Sequence, residues 1–175
     1  MKGCAKFLNF IAFLMFLFLL IAFVAFCVAA AVIGFKPDIV SEKMLDALKP
    51  YTFNGQPFTM ETLTGLKLPV LIIIGALIVI LLLTLLIIAN IRTALKEVGR
   101  GEPFSVRCSK ALNTAALLEV ISGIAGIAMS IYTIRIFGGA SADGGTAAGV
   151  TVNLSFILTA VFLKMLAGIS EYGRR

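Results

Sequence analysis

The sequence has no histidine and no tryptophan, and only three cysteines. Without histidine the commonest general base and the commonest metal ligand are missing. Cys4, Cys27 and Cys108 form no CxxC pair, and none falls in a segment expected outside the membrane, which argues against a structural disulfide. HExxH, GxSxG and GxxxxGK[ST] are absent too, so no catalytic residue and no cofactor or metal site can be named. Gly99-x-Gly101 follows a helical pattern rather than a strand and is no dinucleotide fingerprint. The expected activity is therefore non-enzymatic.

Charge is also scarce. Charged residues make up 14% of the 175 positions, hydrophobic ones 60%, and mean hydropathy is +1.06. A soluble domain is about half apolar and a quarter charged. A chain this apolar is expected to have the lipid bilayer as its solvent. The net charge of +6 falls in short segments between apolar runs, as topology determinants do, and not in an aromatic-basic module. No direct contact with nucleic acid is expected.

Four apolar stretches set the architecture. They predict transmembrane helices over about residues 7–35, 68–98, 105–137 and 150–170, each near or above the ~20 residues that span a bilayer. The fold class is all-α, an integral membrane bundle of four helices in one domain. The first stretch is nearly twice the ~7–15 residues of a signal-peptide core, so it reads as an uncleaved helix. Cys4 precedes that stretch, which excludes a lipoprotein site. The phenylalanines Phe7, Phe10, Phe13, Phe16, Phe18, Phe23, Phe26 and Phe35 scatter around the wheel, which predicts much lipid-exposed surface.

The connectors differ in kind. Residues 36–67 should form a short extracytoplasmic cap, with an amphipathic helix carrying Val40, Met44, Leu45 and Leu48 and a turn at Asn54-Gly55. A plain connector and a ligand-binding lid fit this segment equally. The connector 138–149, rich in Gly, Ala and Ser, reads as a flexible loop. Residues 99–104 form a hard basic turn: Gly99 is expected to end the second helix, Pro103 to block its continuation and Ser105 to cap the third. Phe104 is expected to tuck back into the bundle. The N-terminus, the Arg92–Lys110 segment and Arg174-Arg175 carry the basic excess, which places them and both termini in the cytoplasm by the positive-inside rule.

Asn90-Ile91-Arg92 leading into Gly101-Glu102-Pro103-Phe104, and a last helix ending Ile169-Ser170-Glu171-Tyr172-Gly173, carry a resemblance. From Leu68 onward the chain resembles the small bacterial membrane proteins grouped as domain-of-unknown-function family 2975. The resemblance implies four helices, a Gly-x-Pro-Phe turn after the second, and the bacterial inner membrane. It implies a helix-turn-helix regulator as a partner and supplies no catalytic residue. That family usually carries a short acidic and hydrophobic tail after the last helix, which this sequence lacks.

Two sets of residues are singled out for function. One is the cytoplasmic contact turn: Arg92, Lys96, Arg100, Pro103, Phe104 and Arg107. The other is intramembrane: Glu119 and Lys164, with Ser122 and Gly126. Ala115, Glu119, Ser122, Gly126, Ser130 and Thr133 recur at three- and four-residue steps, a small and polar stripe suited to helix packing, with Leu117, Leu118, Ile121, Ile124, Ile131 and Ile134 opposite. A carboxylate about two turns inside the membrane costs ~2–3 kcal/mol unless it is paired, protonated or hydrated. Glu119 is then either structural, held by Lys164 or a hydroxyl, or a proton- or cation-coupling site in a small oligomeric transporter or channel. Lys164 either pairs with it or snorkels to the headgroups. The leading expectation is a regulatory or scaffolding protein that acts by protein contacts; the alternative is the transporter, as a homo-oligomer.

Overall fold

The computed structural model describes residues 2–35, 51–53, 56–57, 59–137, 140–142, 145–146 and 155–174. Four helices are present among them: α1 (Lys2–Phe35), α2 (Met60–Arg100), α3 (Val106–Phe137) and α4 (Ser155–Tyr172). All four are long and apolar enough to cross a membrane, with spans Gly3–Val32, Leu68–Arg100, Val106–Ile136 and Ser155–Tyr172. The chain is an all-α, four-helix membrane protein.

Two helices start earlier than expected. Lys2 to Lys6 join α1, because nothing there breaks a helix. The α2 helix begins at Met60, so Pro69 lies inside it rather than in its first turn. Threonines and a lysine before Pro69 keep that extension out of the apolar run, and the membrane span still begins at Leu68. Of the fourth expected helix, residues 150–154 lie outside the described residues, as do the amphipathic segment at Val40–Leu48 and the turn at Asn54-Gly55.

The chain divides into two compact units, Met1–Phe23 with Val79–Ala125 and Asn153–Arg175, and Val24–Ile78 with Gly126–Val152. The second unit contains short strands: β1 (Tyr51–Phe53), β2 (Gln56–Pro57), β3 (Ala140–Ala142) and β4 (Gly145–Thr146). They form one antiparallel sheet in the order β2-β1-β3-β4, with Thr52 opposite Ser141. Of the flexible loop expected at 138–149, residues 140–142 and 145–146 are strand instead, and the rest lie outside the described residues. Its composition has little strand preference of its own, but β1 offers it a ladder from the other connector, and long-range pairing overrides local propensity. The same pairing brings Tyr51–Phe53 of one connector beside Ala140–Ala142 of the other.

The first unit holds the core. Ile87 and Ala94 of α2, Cys108, Ala111, Leu112, Ala115 and Ala116 of α3, and Leu163 and Ala167 of α4 form one buried cluster. It is built largely from alanine. In lipid no hydrophobic force draws helices together, so small residues that allow close backbones are what tightens the packing. The α1 helix contributes a narrow seam, with Ala5, Asn9, Ala12, Phe16, Leu19 and Phe23 wholly or partly buried at three- and four-residue steps. Phe7, Phe10, Phe13, Phe18 and Phe26 stand exposed, as their scatter predicted.

On α3 the outward row includes Leu117, Ile121, Ile124 and Ile131, as expected. Leu118 departs from it and packs against the core. Hydroxyls and amides in the spans mostly satisfy themselves. Thr84, Thr93, Ser130, Thr133 and Thr159, and the amide of Asn90, each donate to the carbonyl four residues earlier. Ser130 and Thr133 thus serve their own helix instead of pairing across to a neighbour.

Candidate functional site

The basic turn is built from backbone geometry first. Gly101 adopts a φ of 92°, its N–H donates to the Val98 carbonyl at 3.0 Å, and the Glu102 N–H donates to the Glu97 carbonyl at 3.0 Å. This six-to-one and five-to-two pattern is a Schellman cap, in which a left-handed residue closes the helix. The terminator is therefore Gly101, and the expectation that Gly99 ends α2 is corrected. Gly99 stays helical at the approach of α1, where its missing side chain faces Ala5. Ser105 caps α3 as expected: its Oγ accepts from the Cys108 N–H at 3.1 Å and its carbonyl from the Ser109 N–H.

The turn is then fastened to α4. Ser170 Oγ donates to the Pro103 carbonyl at 2.7 Å, and Ser109 Oγ to the Ala167 carbonyl at 3.3 Å. Phe104 does not tuck into the bundle. Its ring lies where a Gly173 side chain would be, and the residue is 46% exposed. Gly173, just past the end of α4, leaves room for the ring on the outside.

Charge is organised around Glu97, which is buried. Its carboxylate accepts from Arg100 Nη1 at 3.1 Å and stands 4.0 Å from Arg107 Nε. Both arginines remain largely in the open, with side chains 63% and 71% exposed. One buried acid thus orients two outward guanidinium groups. Lys96 and Lys110 are exposed beside them. Glu97 is not among the residues that the sequence pattern singles out. The available signal was its i,i+3 spacing to Arg100, an ordinary helix pair.

Arg92 does not belong to this turn. It is half-buried eight residues earlier, with its guanidinium carbon 4.8 Å from the Phe13 ring centre and 5.6 Å from that of Phe16. Cation–π contacts of this kind are worth ~2 kcal/mol or more when desolvated.

The intramembrane set is rearranged. Lys164 does not pair with Glu119; its Nζ donates to Asn113 Oδ1 at 2.8 Å. The antiparallel register explains this. Ser109 meets Ala167, Asn113 meets Lys164, and Gly123 meets Phe156. Glu119 lies six residues from Asn113, about 9 Å further along α3. That sets it level with Thr159 and Ala160 of α4. Among the described residues Glu119 is half-buried, with no hydrogen-bond or ion-pair partner.

Ser122 is half-buried on the same face. Gly126, the other half of the small-residue motif, has open space around its Cα. The glycine that admits a neighbour is Gly123, against which the Phe156 ring lies.

No protein-family model matches the chain, and neither a curated protein nor a solved structure matches it.

Proposed function

We propose that this is a non-enzymatic integral membrane protein of regulatory or scaffolding type, which docks a partner protein on the α2–α3 turn. The observation that carries the reading is the arrangement at Glu97. A buried carboxylate holds Arg100 and Arg107 outward on a turn that is itself capped and tied to α4. A surface set before binding loses less entropy on docking than a mobile one. Its positive charge suits an acidic segment and would speed encounter. We assign the turn and both termini to the cytoplasmic side on the basic excess of these segments, and the membrane to the bacterial inner membrane on the resemblance to family 2975. The resemblance to family 2975 supports a helix-turn-helix regulator as the partner.

The test is charge reversal of Lys96, Arg100 and Arg107 to glutamate in the full chain. Proteins retained from native membranes would be identified and quantified against the unaltered chain. A defined partner falling at least about tenfold supports the reading, since losing close charge pairs costs ~1.4 kcal/mol or more. Unchanged retention of every partner contradicts it.

A second reading is a small oligomeric transporter or channel. It is favoured by Glu119, half-buried within a span and without a partner among the described residues. Proton-coupled flux in liposomes that disappears in Glu119→Gln would support it; flux that survives the substitution removes the coupling role.

A further inference from the structure

Among the described residues of the first unit, two polar atoms are buried without a hydrogen-bond partner: Nε of Arg92, a donor, and Oδ1 of Asn9, an acceptor. They stand on the two helices that meet through the Arg92–Phe13 contact. Asn9, Phe13 and Phe16 are spaced by four and three residues, so they share one face of α1. Arg92 stands about 12 Å before the end of α2, at the edge of the apolar run that begins at Leu68. Among the described residues no carboxylate forms an ion pair with it. The aromatic rings offset part of its charge, but they fill neither orphan. Buried polar groups in native proteins are nearly always satisfied, and an exception calls for an explanation, a bound group being one.

We propose that this face of α1 and α2 binds one phospholipid headgroup. Its phosphate would accept from the Arg92 guanidinium, and a hydroxyl or ammonium of the same headgroup would donate to Asn9 Oδ1. Arginine takes phosphate side-on through Nε and one Nη, and a rotation of the guanidinium on the two rings presents that edge. Arg92 is half-buried as a residue, while its Nε and the Asn9 Oδ1 are closed to solvent, so a headgroup would enter as the Arg92 side chain turns outward. The two orphans together also select the headgroup. Phosphatidylglycerol and phosphatidylethanolamine carry both a phosphate and a donor, whereas phosphatidylcholine has no donor. Lys164 lacks this need, because Asn113 Oδ1 already accepts a hydrogen bond from it. The proposal does not rest on the reading of the α2–α3 turn.

The experiment is native mass spectrometry of the full chain from mixed micelles. Each of the three lipids is offered at equal concentration in high salt, which screens exposed Arg100 and Arg107 more than a desolvated site. One phosphatidylglycerol or phosphatidylethanolamine retained about tenfold over phosphatidylcholine is the expected result. Arg92→Gln and Asn9→Leu should each abolish the preference. Arg92→Lys, which keeps the charge and loses the side-on geometry, should weaken it. Arg100→Gln with Arg107→Gln should leave it intact. Helical content by circular dichroism identifies any variant that fails to fold, and Asn9→Leu gives an independent arm if Arg92→Gln does.

Equal retention of phosphatidylcholine overturns the proposal and leaves a bridging water on the two atoms. A preference that survives Arg92→Gln also overturns it. Inorganic phosphate that displaces the lipid at millimolar concentration would assign the site to a free anion instead.

Discussion

Glu97 and Glu119 are two carboxylates on consecutive helices, and their surroundings are opposite. Glu97 sits at the end of α2, more deeply buried, with two arginines drawn to it. Glu119 lies well inside α3, half-buried, with no partner among the described residues. Depth along the sequence therefore does not decide which acid organises its neighbours. Helix register does. Glu97 meets Arg107 because the Schellman cap at Gly101 folds α3 back beside it. Glu119 misses Lys164 because the α3–α4 register was already set at Ser109 and Ala167.

The comparison breaks most sharply at Glu97. Glu97→Lys would bury a cation beside two guanidinium groups and should cost ~3–5 kcal/mol, as an uncompensated buried charge does. Thermal unfolding in nanodiscs checks it, and an unchanged midpoint would mean that Glu97 organises nothing. Next is the register that separates Glu119 from Lys164. Gly123→Leu should destabilise by ~1–3 kcal/mol through the Phe156 ring, while Gly126→Leu should fall within ~0.5 kcal/mol. Equal losses at the two glycines would contradict the register.

At Glu119 the effect should reverse in sign. Glu119→Leu removes from a span a carboxylate with no partner among the described residues and should stabilise by up to ~2 kcal/mol. Destabilisation of that size would mean that the acid has a structural partner after all. The smallest effect belongs to Lys164→Met, which gives up one exposed hydrogen bond to Asn113 and should cost ~1 kcal/mol or less. A double change with Asn113→Leu should add nothing further, because the two residues share that one bond.

Much of the fold is legible in the sequence because lipid imposes long apolar runs. The four spans, the Ser105 cap and most of the outward row of α3 follow from local pattern alone. What the pattern does not carry is pairing between elements. Gly99 and Gly101 both suit a helix end, and only the approach of α1 at Ala5 and the proximity of Pro103 separate them. Gly123 and Gly126 are equally small, and only Phe156 on α4 distinguishes their roles. Arg92 reads as one more basic residue near the turn, although its partners are two phenylalanines on a helix some eighty positions earlier. The strands β3 and β4 lie in a stretch whose composition suggests a loop, because their ladder comes from the other connector.

The most direct test of the docking turn is a crosslinking map in native membranes. A photoreactive residue would be placed in turn at Lys96, Phe104 and Arg107, and at Leu117 and Ile131 on the outward row of α3. The account predicts a discrete protein adduct from the turn positions, lost when Arg100 is reversed to glutamate, and lipid adducts alone from α3. Protein adducts confined to α3, or turn adducts indifferent to charge reversal, would contradict it.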